Sequence, residues 1–239
     1  MFLSADVGET FKEELVGFDA EVIPLVDVVN VACGGHGGTF SSITTAINLA
    51  KENRVKIAAH PSYLDPEHFG RRSLEVATTL LQQQLQDQLS FIGEIAGEIP
   101  RLIKAHGALY NDMFSNRDLA GVFLEAIIPH AKEATIVGAP GSALETLCYE
   151  SEITFMREGF ADRRYLKDGS LSPRSTDGSL LSQPHEIMEQ VRTIVEESAV
   201  ISATGEKIPL LVDTICFHGD NRPSVDALYK LTSIRRGSN

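Results

Sequence analysis

The chain has no tryptophan, only three cysteines and an aromatic share of 7% over 239 residues. Cys33, Cys148 and Cys216 are far apart and form no Cys-x-x-Cys pair, which argues against a disulfide framework or a zinc ribbon. Cys33 and Cys216 fall in apolar runs and read as small core residues rather than nucleophiles. Long hydrophobic runs are also missing, and none approaches the roughly 18 residues of a membrane span. The N-terminal Met-Phe-Leu-Ser-Ala-Asp-Val-Gly lacks the basic region and apolar stretch of a secretion signal, so the expected compartment is the cytoplasm. Bases are outnumbered, 21 Lys and Arg against 33 Asp and Glu, for a formal net charge of −12. That balance argues against a general binder of nucleic acid or anionic membrane, which needs a basic footprint. A small anionic substrate held by a few local cations remains compatible with it.

What is present is the composition of a globular protein, 43% hydrophobic and 23% charged. The length suits a single domain over residues 1–239, as many barrels are. Seven apolar segments read as strands, near Phe2–Ala5, Val26–Ala32, Lys56–Ala59, Leu102–Ala105, Thr135–Gly138, Ile153–Arg157 and Leu210–Phe217. Helical stretches are predicted at Ser41–Asn53, Leu74–Gly97, Asn116–Ala131 (with a proline that ends it early), Ser142–Glu150, Gln183–Ser198 and Val225–Arg236. Strand alternating with helix predicts an α/β fold of parallel β/α units. Polar residues at nearly every strand end favour a closed barrel over an open sheet, whose site would gather at one switch point. Glu158–Ser182 reads as a long folded loop or lid.

Four of the seven histidines share one context, an apolar or small-residue run followed by a His beside Gly or Pro. The segments are Val-Ala-Cys-Gly-Gly-His36-Gly-Gly, Ile-Ala-Ala-His60-Pro, Ile-Lys-Ala-His106-Gly and Ile-Cys-Phe-His218-Gly-Asp220. Imidazole suits proton transfer and metal ligation near neutral pH, so four strand ends presenting it predict one shared site. The first strand ends on Asp6 and Glu9, which can orient a histidine, hold a metal or act as acid and base. The glycines around His36 suggest close approach of a ligand just before a helix start, yet no Gly-Lys-Ser/Thr follows, so this is not a Walker loop. Lys104 and His106 share a strand face, and an inward Lys needs a carboxylate or an anionic substrate. Arg71 and Arg72 offer forks for a carboxylate or phosphate, one of them being expected in a surface salt bridge. Asp220 is positioned to fix the His218 tautomer or share a metal. His68, His130 and His185 lack the pattern and read as surface residues. Two chemistries stay open on these residues: Asp6, His36 and His60 binding a divalent metal that activates water, or imidazoles and carboxylates working as acids and bases on an acyl or amide carbon.

The motifs together resemble the LamB/YcsF family, the A subunits of prokaryotic ATP-dependent 5-oxoprolinase. The resemblance rests on Ser-Ala-Asp6-Val-Gly-Glu9, Asn30-Val-Ala-Cys-Gly-Gly-His36-Gly-Gly, Ala-His60-Pro-Ser-Tyr-Leu-Asp65 and Phe69-Gly-Arg71. It continues through Lys104-Ala-His106-Gly-Ala-Leu-Tyr110-Asn111, Glu158-Gly-Phe-Ala-Asp162-Arg163, Asp168-Gly-Ser-Leu-Ser-Pro-Arg174-Ser and Cys216-Phe-His218-Gly-Asp220. It implies an incomplete, seven-stranded, TIM-like barrel of the glycoside hydrolase/deacetylase type. It also implies conversion of 5-oxo-L-proline to L-glutamate coupled to ATP hydrolysis, with separate B and C subunits as partners. The residues expected to carry the chemistry are Asp6, His36, His60, Lys104, His106 and His218. Those expected to bind substrate are Glu9, Arg71, Tyr110, Asp162, Arg163, Arg174 and Asp220. The chain departs from the family pattern at Ser4, Thr39 and Ala105, where the family has Asn, Asp and Pro. Two alternatives are a stand-alone metal-dependent deacetylase or amidohydrolase, and a non-catalytic subunit of a complex.

Overall fold

The computed structural model describes residues 1–11, 19–129 and 133–237. Among the described residues nine strands occur in chain order: β1 (Phe2–Val7), β2 (Val28–Ala32), β3 (Lys56–His60), β4 (Leu102–Lys104), β5 (Thr135–Gly138), β6 (Thr154–Phe160), β7 (Ala199–Ile201), β8 (Lys207–Pro209) and β9 (Thr214–His218). The helices are α1 (Asp19–Val22), α2 (Phe40–Glu52), α3 (Thr78–Ala96), α4 (Gly107–Asp112), α5 (Arg117–Ile127), α6 (Ala143–Glu150), α7 (Pro184–Glu197) and α8 (Arg222–Gly237). Seven strands close into a parallel barrel in the order β1-β2-β3-β4-β5-β6-β9, with β9 pairing both β6 and β1. The expected seven-stranded β/α barrel is therefore the fold.

The strands read as apolar runs because one face of each packs beneath the helices. Ala5, Val7, Val29, Val31, Ala59, Ile103, Ile215 and Phe217 meet Ile43 and Ile47 of α2, Leu85, Leu89 and Ile92 of α3, Phe123 of α5 and Ile187 and Val191 of α7 in one buried core. Burying such a side chain is worth about 1.5–3 kcal/mol, which makes this layer the main source of stability. The alternate positions do something different. Ser4, Asp6, Asn30, Lys104, Glu158, Thr214, Cys216 and His218 are all buried, and the contacts among them fill the barrel interior with polar groups.

Several boundaries differ from the sequence expectation. The helix predicted from Leu74 begins at Thr78, because Leu74 and Val76 pack on the core from an extended segment. The segment Leu210–Phe217 contributes to the barrel only from Thr214. Just before it, β8 pairs antiparallel with β7 across a turn that contains Gly205 at a φ of 83°. The sixth strand runs on to Phe160, so Glu158 and Phe160 belong to the barrel and the long loop starts at Ala161. That loop is folded, with buried Tyr165 paired to Leu171 and Ser202. His130 and the predicted end of the helix begun at Asn116 fall at residues 130–132, outside the described residues, as does the polar stretch 12–18. Thr39 starts α2 through a capping box, accepting from Ser42 N at 3.1 Å while Ser42 Oγ accepts from Thr39 N at 2.9 Å. The departure at Thr39 therefore concerns a helix cap. Among the described residues no helix is long and apolar enough to cross a membrane.

Candidate active site

All four pattern histidines stand at the C-terminal mouth of the barrel, but they divide three and one. His60 ends β3, His106 precedes α4 and His36 lies in the glycine loop after β2. The rings of His36 and His106 stack at 3.6 Å, and His60 meets them edge-on at 5.5 and 4.9 Å. Phe69 closes the group, its ring 5.4 Å from His36 and 5.5 Å from His106. His218 stands apart, stacked on Phe160 at 5.5 Å.

The glycines around His36 serve packing of the protein on itself. A Cβ on Gly37 would lie 2.3 Å from the Glu9 carbonyl oxygen. One on Gly70 (φ +62) would lie 2.8 Å from His36 Cβ. Glu9 and His36 themselves make a close approach to these glycines. Glu9 Oε1 in turn sits 3.0 Å from His36 Nε2, 3.2 Å from His106 Nδ1 and 3.9 Å from His60 Nε2. Burial raises the Glu9 carboxyl, but the adjoining His106 and His36 imidazoles outweigh it and hold it well below the usual range. Burial lowers all three imidazoles, His36 to about 4.

Below the histidines lies a charged knot. Lys104 Nζ contacts Asp6 Oδ1 at 2.8 Å, Glu158 Oε1 at 3.0 Å and Cys216 Sγ at 3.3 Å. Asn30 Nδ2 donates to the same Asp6 oxygen at 2.8 Å. Burial disfavours charge on both Asp6 and Lys104, yet each holds the other ionised: Asp6 stays well below and Lys104 well above its ordinary value. Glu158 is pushed up by burial despite Lys104, and the Cys216 thiol is pushed up as well.

A cavity of about 500 Å3 opens above this knot. Asp6, His60, Lys104, His106, Tyr110 and His218 line it, together with Arg71, Arg163 and Arg174. Burial and the neighbouring Arg174 lower Arg163 to about 10 and also lower Arg71, the mark of guanidiniums crowded around one space. Arg72 turns away to Asp65 at 2.9 Å, which is the salt bridge expected of one of the two arginines. His218 is held between Asp162 Oδ1, 2.7 Å from Nδ1, and the Arg174 guanidinium, 2.9 Å from Nε2. Arginine only donates, so Nε2 accepts and Nδ1–H donates to Asp162.

Four expectations from the sequence need correction. His36 is 0% exposed and does not line the 500 Å3 cavity, because the Gly37 and Gly70 contacts bury it behind Glu9. Its place in the expected metal set is taken by Glu9 and His106: Asp6, Glu9, His60 and His106 each offer a ligand atom, all within 4.8 Å of one another, a group able to hold a metal ion. Asp162, expected at the substrate, is 1% exposed and its Oδ1 meets His218 Nδ1 at 2.7 Å. Asp220 does not orient His218; it meets Arg71 at 3.4 Å on the rim and lines a second cavity of about 190 Å3 with Glu9 and Asp19. Asn30, Phe69, Glu158 and Phe160 lie within the motifs but carried no assigned role from the sequence. A polar Asn and Glu inside apolar strands was the available signal for two of them.

Asp19 supplies a test of this electrostatic picture. Its Oδ2 accepts from Gly8 N at 2.8 Å. Burial, with Glu9, Asp220 and Asp6 nearby, outweighs that bond and pushes the carboxyl up to about 7. A raised acid binds its proton more tightly folded than unfolded, so native stability falls as pH rises from about 4 through 7. Asp19→Asn keeps an acceptor for Gly8. It is expected to change little near pH 4 and to stabilise near pH 8 by up to about 4 kcal/mol. Urea unfolding at the two pH values reads this, and an equal effect at both contradicts it.

A closed parallel β/α barrel with imidazoles, carboxylates and guanidiniums at its C-terminal mouth has the layout in which barrel enzymes carry their active sites. The chain belongs to that structural class, and within it to the LamB/YcsF family, which matches residues 1–236. It is 38% identical over 228 residues to the 5-oxoprolinase A subunit of Pyrococcus furiosus, covering 94% of this chain and 89% of that protein. It is 35% identical over 237 residues to the 5-oxoprolinase A subunit of Symbiobacterium thermophilum, covering 97% and 90%. The crystal structure of a lactam utilization protein from Thermus thermophilus superposes with a TM-score of 0.88 at 30% identity, covering 99% and 97%.

Proposed function

We propose that this chain is the lactam-opening subunit of a cytoplasmic, ATP-dependent 5-oxoprolinase that converts 5-oxo-L-proline to L-glutamate with B and C partner subunits. The observation that carries the reading is the cavity wall, where His218, held from behind by Asp162, faces the same space as Arg71, Arg163 and Arg174. Guanidiniums suit the substrate carboxylate, and an imidazole with a fixed tautomer suits proton transfer beside it.

An unstrained amide carbon is a poor electrophile, which explains a need for ATP. Phosphorylation of the lactam oxygen by the complex activates C5. Water then adds to C5 while His218 Nε2 takes its proton. The C5–N bond breaks with its electron pair going to nitrogen, which receives a proton from the imidazolium, while the C5 hydroxyl gives up its proton and becomes the carbonyl of an acyl phosphate. A second water hydrolyses the remaining acyl phosphate to glutamate and phosphate. Arg174 occupies His218 Nε2 at 2.9 Å, so its move onto the substrate carboxylate frees the base as substrate arrives. Lys104, which lines the cavity floor, stabilises the negative charge that the bridging oxygen takes up as phosphate leaves the acyl phosphate.

The purified complex is expected to form glutamate only when 5-oxoproline and ATP are both present, and to ignore 2-pyrrolidone, which lacks the carboxylate. Equal turnover of both lactams contradicts the role given to the arginines. One observation favours a second reading, a metal-dependent amidohydrolase acting alone: the Asp6, Glu9, His60 and His106 group. That reading predicts ring opening by this chain without ATP or partners.

A further inference from the structure

The hydrogen bonds around His60 and His106 fix where their lone pairs point. His60 Nδ1 lies 2.9 Å from the Lys104 carbonyl oxygen, and His106 Nε2 lies 3.1 Å from the Phe69 carbonyl oxygen. A carbonyl only accepts, so each of these nitrogens carries the hydrogen. The opposite nitrogens, His60 Nε2 and His106 Nδ1, are left as lone-pair donors, and they face each other at 3.0 Å. Two carboxylate oxygens join them. Asp6 Oδ2 is 3.4 Å from His60 Nε2, and Glu9 Oε1 is 3.2 Å from His106 Nδ1. Four acceptors thus converge within 4.8 Å with no hydrogen of their own between them. A proton on one ring would satisfy a single pair of these atoms; a cation at the centre would satisfy all four.

The surroundings have the form of an outer coordination layer. Each candidate ligand is held by a further protein partner: the Lys104 carbonyl for His60 and the Phe69 carbonyl for His106. His36 Nε2 does this for Glu9 at 3.0 Å, and Asn30 and Lys104 hold Asp6 through Oδ1, leaving Oδ2 free to face inward. We infer that Asp6, Glu9, His60 and His106 bind one divalent transition-metal ion, and that His36 is a positioning residue for Glu9. Two imidazoles and two carboxylates suit Zn2+, Co2+ or Mn2+ better than Mg2+ or Ca2+, which favour all-oxygen sites. The inference goes beyond the lactam reading and stands independently of it, since occupancy is measured without turnover.

The test uses the full chain, stripped with a chelator and dialysed separately against Zn2+, Co2+, Mn2+ and Mg2+. Elemental analysis is expected to find one Zn2+, Co2+ or Mn2+ per chain and no retained Mg2+, and the Co2+ form is expected to show visible ligand-field absorption. His60→Ala with His106→Ala should abolish retention, His36→Ala should weaken it roughly 10–100-fold, and exposed His185→Ala should leave it unchanged. Should the double variant not fold by circular dichroism, nitrogen-15 spectra of the stripped wild type decide: His60 is expected as the Nδ1–H tautomer and His106 as the Nε2–H tautomer. Retention no greater than in the double variant, absence of the Co2+ absorption, or the reverse tautomers would overturn the inference. Stoichiometric metal in a chain that supports no 5-oxoproline turnover would sustain the site while removing the proposed function.

Discussion

Lys104→Ala is expected to lower the melting temperature by roughly 6–20 °C. Breaking a buried ion pair costs ~3–5 kcal/mol, and each kcal/mol is worth about 2–4 °C in a chain of this size. The cause is local: Lys104 is 2% exposed, and its ammonium is shared by Asp6 at 2.8 Å and Glu158 at 3.0 Å. Removing it strands two carboxyls inside the barrel. Of the two, Glu158 is already pushed up by burial and takes a proton readily. Asp6, held well below its ordinary value against burial chiefly by Lys104, loses most. Adding Glu158→Gln to Lys104→Ala is therefore expected to recover only part of the loss. A thermal melt reads both variants, and a single-variant shift of less than about 2 °C contradicts the counter-ion role.

Asp162→Asn is expected to lower kcat for glutamate formation roughly 10²–10⁴-fold, the range attributed to a positioned general base. Asp162 accepts the His218 Nδ1–H at 2.7 Å and does not line the 500 Å3 cavity. An amide there can turn its NH2 toward Nδ1, stabilising the tautomer that carries its hydrogen on Nε2, where the base must be bare. The effect should fall on kcat with KM little changed. A raised KM at unchanged kcat would instead make Asp162 a substrate ligand.

The fold was legible because parallel strands covered on their outer face read as apolar runs. The mouth of the barrel was legible because four of those runs end in His beside Gly or Pro. The partners of those histidines were not. Asp220 is two residues from His218 in sequence, yet Asp162 is the carboxylate that reaches it, because β6 lies beside β9 and the chain leaving β6 passes over the ring. Barrel closure decides that adjacency, and no local pattern encodes it. Glu9 and His106 replaced His36 in the four-atom cluster for a similar reason: Gly37 packs directly on the Glu9 backbone and brings that side chain under the imidazoles. The hairpin of β7 and β8 hid in the sequence because each of its strands is only three residues long, too short for a period to show. Asn30 and Glu158 show what a closer reading of periodicity would have found, since a polar residue on the interior face of an apolar strand needs a buried partner.

The central claim is that the strand-end rim of this chain opens the lactam. The most direct measurement adds purified chain to its B and C partner subunits and follows 5-oxoproline-dependent glutamate formation with ATP. Wild type is expected to restore it, while folded His218→Ala and His106→Ala variants that still assemble with the partners are expected to lose it. Full activity from either variant would contradict the claim and leave this chain a supporting subunit.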